Sequence, residues 1–176
     1  DCFVFGFPCN DFSDVGKKKG TKGNYGKLYE YGIKVINEHN PKWFLAENVP
    51  GLKSTNAGKD FKKILNALGT AGNYGYELTV HLYKFEEYGV PQFRNRIIIV
   101  GIRKDLGLKF KVPAPTTKDN YITSKEAISN IPSWASNNEM PLHNKNVIEK
   151  LKYIPEGKNI WCDEVPEELK IKTVFI

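Results

Sequence analysis

Cys2-Phe3-Val4-Phe5-Gly6-Phe7-Pro8-Cys9 frames the reading of the whole chain. Residues 2–7 form an apolar run that reads as a short buried strand, and Pro8, with no N–H to give a ladder, ends it. Cys9 then stands at the mouth of that strand. The loop that follows, Asn10-Asp11-Phe12-Ser13 and then Gly16-Lys17-Lys18-Lys19-Gly20, is polar, basic and glycine-studded. A free cysteine beside a strand is usually just a small buried hydrophobe, so Cys9 takes its meaning from its companions. These are Glu47-Asn48-Val49, after a second apolar run, and Gln92-Phe93-Arg94-Asn95-Arg96, ahead of a third.

Working outward, apolar positions Leu28, Ile33, Val35 and Ile36 predict a mainly helical segment over 25–39, stopped by Asn40-Pro41. Lys42 to Ala46 reads as a second buried strand. Asn56-Ala57-Gly58 is expected to open a helix whose Phe61, Ile64, Leu65 and Leu68 make one core-facing stripe, closed by Gly69 or Gly72. Residues 76–83 alternate as a strand should, and Arg96 to Gly101 is the most apolar strand of all. Strands separated by helices predict an α/β fold of about four strands, mostly parallel with one antiparallel. Sites in such sheets fall at the carboxyl ends of the strands. Neighbouring strands lie ~5 Å apart, so Cys9 and Glu47 would share a pocket if their strands pair. An antiparallel strand at 96–101 would bring Arg94 and Arg96 to the same edge.

Beyond Lys104 the texture changes. Val112-Pro113-Ala114-Pro115-Thr116-Thr117 reads as an extended linker. Ser124 is expected to cap a short helix through Asn130, residues 144–152 to hold another, and Pro155-Glu156-Gly157-Lys158 to turn. The expected division is therefore 1–104 as one domain and 105–176 as an appendage with less core of its own.

Forty per cent apolar and 12% aromatic residues in a chain of 176 mark a globular protein. No apolar run is long enough to predict a membrane span, and the opening residues show no signal-peptide pattern. Cys2, Cys9 and Cys162 are too scattered for a metal pair or a disulfide framework, which suggests a reducing compartment. His39, His81 and His143 have no ligand spacing, so no metal is expected. Trp43, Trp134 and Trp161 read as packing residues. The net charge of +6 fits a polyanionic partner. Its makeup is more telling, because there are 23 lysines and only three arginines. Two of those, Arg94 and Arg96, stand two residues apart, which implies a need for the planar fork that an ammonium cannot reproduce.

Gly6-Phe7-Pro8-Cys9 with Phe12-Ser13, Glu47-Asn48-Val49, and Gln92-x-Arg94-x-Arg96 together resemble three signature motifs of the cytosine-5 DNA methyltransferases, in that family's order and spacing. Asn24-Tyr25-Gly26-Lys27-Leu28 and Tyr88-Gly89-Val90-Pro91 fit as weaker motifs. The resemblance is strong over 1–104 and looser from Ser124 to Leu169, the stretch leading into the target-recognition region. It implies a partial Rossmann-like methyltransferase sheet and S-adenosyl-methionine as methyl donor. It also implies double-stranded DNA as partner and a bacterial or phage-encoded, cytoplasmic, DNA-associated protein. Cys9 would add to carbon 6 of a flipped-out cytosine, which arms carbon 5 to take the methyl group. Glu47 would hydrogen-bond ring nitrogen 3 and the exocyclic amine, which requires a protonated or proton-sharing carboxyl that burial would favour. Arg96 would hold the base's carbonyl oxygen, and Arg94 would steady the loop or a phosphate. Ser13 and Lys17 would reach backbone phosphates, and Pro8 and Leu28 would contact the cofactor.

Asn10 replaces the family's usual glutamine and Tyr25 its usual arginine, which alters loop docking and removes one phosphate contact. The family's amino-terminal glycine-rich turn and ribose-binding acid are not seen, nor are its final motifs. The expectation is a fragment or split subunit that needs the missing amino-terminal segment or a complementary chain, with strand 2–7 as an exposed edge. Two other readings stay open: the tRNA-directed branch of the same family, and a non-catalytic nucleic-acid-binding relic.

Overall fold

The computed structural model of the chain describes residues 1–7, 27–139 and 141–171. Four strands form one sheet: β1 (Cys2–Gly6), β2 (Trp43–Asn48), β3 (Tyr76–Lys84) and β4 (Asn95–Arg103), in the order β1-β2-β4-β3. β1 and β2 are parallel, with Gly6 opposite Glu47. β4 runs antiparallel to both β2 and β3. Three strands thus point one way and β4 alone opposes them, as the sequence predicts. Because β4 lies inside the sheet rather than at its edge, two of the three pairings are nevertheless antiparallel. The crossover from β2 to β3 leaves a one-strand gap, and β4 folds back from β3 to fill it.

Two helices pack on one face of this sheet. α1 (Tyr29–His39) buries Tyr29, Gly32 and Ile36, and α2 (Lys59–Gly69) buries Ile64 and Leu68, with Phe61 and Leu65 partly covered. They meet Phe44, Ala46, Ile97 and Ile99 from the central strands. Fully burying one such side chain is worth ~1.5–3 kcal/mol, so this face is where stability concentrates. Two glycines let the layers approach: a Cβ on Gly32 would lie 2.3 Å from the Phe5 ring, and one on Gly101 would lie 2.3 Å from the Phe44 ring.

Local chemistry sets the helix ends. α1 stops at Asn40, which takes the left-handed conformation at φ 44° while its N–H donates to the Ile36 carbonyl. Pro41 then prevents continuation. Asn56 and Ala57, expected to open α2, instead sit at φ 52° in a left-handed turn, and the helix begins after Gly58. The third arginine is structural. Arg103 donates to the Asn40 carbonyl at 2.7 Å, pairs with Asp105 and covers the Tyr74 ring, pinning the end of β4 to the α1–β2 turn.

The chain divides into two compact units, Asp1–Ser129 and Asn130–Ile176. Within the first, the segment after β4 is laced back onto β3 and the loop beyond it. Thr79 Oγ1 donates to the Phe110 carbonyl, the Thr117 N–H donates to the Glu87 carbonyl, and the Gly89 N–H donates to Thr117 Oγ1. Thr123, not Ser124, caps the short helix α3 (Ser124–Ile128), through a reciprocal capping box with Glu126. The second unit holds α4 (Lys145–Lys152), capped by Asn144, and a turn closed by Lys158 N–H donating to the Pro155 carbonyl. Trp43, Trp134 and Trp161, expected to pack, are all exposed. Among the described residues no helix is long and apolar enough to cross a membrane.

Candidate active site

Strand alternation decides what reaches the carboxyl edge of β1 and β2. Phe44, Ala46 and Asn48 point to the helix-covered face, so Glu47 points to the other. Counting along β4 the same way, Ile98 lies opposite Glu47 and Arg96, two residues earlier, shares its face. Arg96 Nε donates to Glu47 Oε1 at 2.6 Å, and Arg96 Nη1 donates to the Asn95 carbonyl at 2.8 Å. Two predicted site residues, 49 positions apart in sequence, therefore meet as a charge-assisted pair. Gly6 keeps the adjoining space open: a Cβ there would lie 3.4 Å from Glu47 Oε2.

Glu47 was expected to be buried, whereas its side chain is 39% exposed beside an Arg96 that is 19% exposed. The carboxylate is paired with a guanidinium at a partly open strand edge. Arg94 precedes β4 and is exposed, with its N–H donating to Glu86 Oε2 at 3.3 Å.

Asn48 is the residue that sequence reasoning left without a role. It is only 2% exposed, donates from Nδ2 to the Phe7 carbonyl at 3.1 Å, and accepts from the Val49 N–H at 2.9 Å. The Phe7 ring is held between Phe5 and Tyr29. Ring and carbonyl are thus both fixed at the last described residue before Pro8 and Cys9. Burial pushes the Tyr29 phenol above its usual range. The signal for Asn48 was present in the alternation, since a polar residue that follows Phe44 and Ala46 on the core face must be bonded there.

Pro8, Cys9, Ser13 and Lys17 lie outside the described residues. Leu28 is described, and with Phe3, Phe5, Tyr31 and Val35 it lines an apolar cavity of about 220 Å³ beside β1. A flat aromatic group suits such walls, so the residues present fit the base end of a nucleoside-containing cofactor. Among the described residues, no group of three or more His, Cys, Asp or Glu side chains could hold a metal ion.

The strand edge after β2 presents this carboxylate–guanidinium pair, and comparison with known proteins says which class of protein carries it. The family model for C-5 cytosine-specific DNA methylase matches residues 1–173, and the chain belongs to that family. It is 58% identical over 171 residues to the Type II methyltransferase M.BbvI of Brevibacillus brevis, covering 97% of this chain and 46% of that protein. It is 41% identical over 175 residues to M.NgoFVII of Neisseria gonorrhoeae, covering 96% and 46%. The chain therefore spans about half the length of these curated relatives. A solved structure described as a DNA modification methyltransferase encoded within an E. coli prophage superposes with a TM-score of 0.58 at 29% identity, covering 76% of this chain and 35% of that one.

Proposed function

We propose that this chain carries the catalytic half of a DNA (cytosine-5-)-methyltransferase, with 1–104 performing the chemistry and 105–176 leading into target recognition. The observation that carries this reading is the Glu47–Arg96 pair, seated at the strand edge beside the segment that leads to Cys9. The target carbon is shielded inside a duplex, so the base must leave the stack to reach this edge. The Cys9 thiolate then bonds to carbon 6, and the displaced π electrons spread over carbon 5 and the ring amide. Glu47 shares a proton with ring nitrogen 3, which gains charge as the thiolate adds, and accepts a hydrogen bond from the exocyclic amine. Arg96 orients Glu47 through Nε and turns its remaining N–H groups towards the base's carbonyl oxygen. S-adenosyl-methionine, with Leu28 and Pro8 against it, supplies the methyl group when bound. Loss of the carbon 5 proton to solvent restores the ring double bond and expels the Cys9 thiolate. Ser13, Lys17 and Arg94 act on phosphates or on the loop, which makes affinity salt-dependent without specifying sequence.

The test uses duplex DNA with a pyrimidin-2-one in place of cytosine, flanked by randomised sequence. This base lacks the exocyclic amine and is more open to attack at carbon 6, so thiol addition alone leaves a stable adduct. Mass spectrometry should place the adduct on Cys9, and Cys9→Ser should abolish it. An adduct on Cys2 or Cys162, or one that persists in Cys9→Ser, refutes the assignment.

A further inference from the structure

Phe93 stands inside the arginine motif yet has no part in the chemistry above. The residue is 81% exposed, and its ring meets Tyr121 edge-on, with centroids 5.9 Å apart at 85°. The two rings flank a cavity of about 530 Å³ whose other walls include Pro91, Ile122 and Glu86. That volume lies within the ~300–1,000 Å³ of small-molecule sites. The walls are tied to each other: Ser124 Oγ donates to the Pro91 carbonyl at 3.1 Å. The Glu86 wall is fixed too, since Glu86 is buried and accepts the Arg94 N–H. An aromatic cleft with bonded walls is built before any ligand arrives.

Its position says what would fill it. Phe93 directly precedes Arg94 and lies three residues from Arg96, about 10 Å along an extended chain. Charge points the same way. Residues 1–129 carry 20 Lys and Arg against 13 Asp and Glu, whereas 130–176 carry six against seven. A flat, uncharged ring carried on a polyanion matches an exposed phenyl group set in a basic unit, because every nucleobase has a face to stack. We propose that Phe93 and Tyr121 form a second nucleobase site, which stacks an unpaired base of the DNA strand near the one held at Glu47 and Arg96. This inference rests on the DNA-modifying reading above.

The experiment is photo-cross-linking of the 176-residue chain to a single-stranded dodecamer carrying 5-iodouracil, at about 50 mM salt. Peptide mapping should locate the cross-link at Phe93 or Tyr121. Phe93→Ala should remove it and weaken binding roughly 10-fold, while Phe93→Trp should keep both. Cross-links elsewhere with unchanged affinity in Phe93→Ala overturn the proposal, and so does absence of oligonucleotide binding by the wild-type chain. An apolar protein segment as the true occupant would give that last result. The Cys9 adduct is scored in parallel. An adduct without a Phe93 or Tyr121 cross-link sinks the stacking site alone, and a cross-link with the adduct elsewhere sinks the catalytic assignment alone.

Discussion

Replacing Asn48 with alanine removes two hydrogen bonds from a nearly inaccessible position, donation to the Phe7 carbonyl and acceptance from the Val49 N–H. Each orphaned buried group costs ~1–3 kcal/mol. The Val49 N–H is only partly buried, so water can serve it and its share falls at the low end. The expected loss is about 2–3 kcal/mol. At a urea dependence of ~2 kcal/mol per molar, the unfolding midpoint should drop by about 1 M. Asn48→Asp keeps the shape and the acceptor but not the donor, so it separates bonding from packing and should also destabilise. The second readout is chemical. The rate of adduct formation at Cys9 should fall, because the Phe7 carbonyl, two residues ahead of it in sequence, is no longer held. Alkylation of exposed Cys2, at the far end of β1, should not change. A midpoint shift under about 0.3 M, with an unchanged Cys9 rate, would refute the anchoring role.

Arg96→Lys keeps the charge but cannot hold Glu47 and the Asn95 carbonyl from one planar group. Adduct formation should slow about 10- to 100-fold, while stability moves by less than ~1 kcal/mol because the pair is partly exposed; equal rates would remove the need for a guanidinium. Gly101→Ala drives a methyl group into the fully buried Phe44 ring and should cost ~1–3 kcal/mol in urea unfolding, with Phe44→Leu restoring part of it; a neutral result would mean the layers can part freely. Burial holds the phenols of Tyr29, Tyr76 and Tyr83 above their usual range. A raised folded-state value means full stability below pH ~10 and loss as pH climbs through the folded values. Ultraviolet titration should therefore show these three of the nine tyrosines ionising late, together with unfolding, and one simple wave near pH 10 for all nine would contradict their burial.

Much of this was legible in the sequence because hydrophobic period carries it directly. The expected strands at 2–7, 42–46, 76–83 and 96–101 each overlap an observed one, and the α2 stripe faces the core as its spacing predicts. What period cannot carry is order. Nothing in the run from Arg96 to Gly101 says that it slots between two earlier strands, which is why the pairing balance differs from the count of strand directions. Exposure was equally hidden. The role that the resemblance implies for Glu47 favours burial, yet alternation turns it towards the open face. Asn56 reads as a helix start because Asn caps well, but Asn56 and Ala57 take left-handed angles and Gly58, at φ 78°, is the residue that caps α2 at Lys59.

The slot filled by β4 makes the Glu47–Arg96 pair a check on how the sheet is assembled. Strand side chains repeat every two residues, so a slip of one position would send Arg96 to the helix-covered face and leave Glu47 facing no guanidinium. β4 is the last of the four strands to leave the ribosome, and the pair is complete only when that strand has docked in register with β2. A molecule with every helix and strand formed, but β4 misaligned, carries no paired carboxylate at the edge. The error removes the pair instead of moving it elsewhere on the sheet, so strand register alone decides whether this edge carries a carboxylate held by a guanidinium.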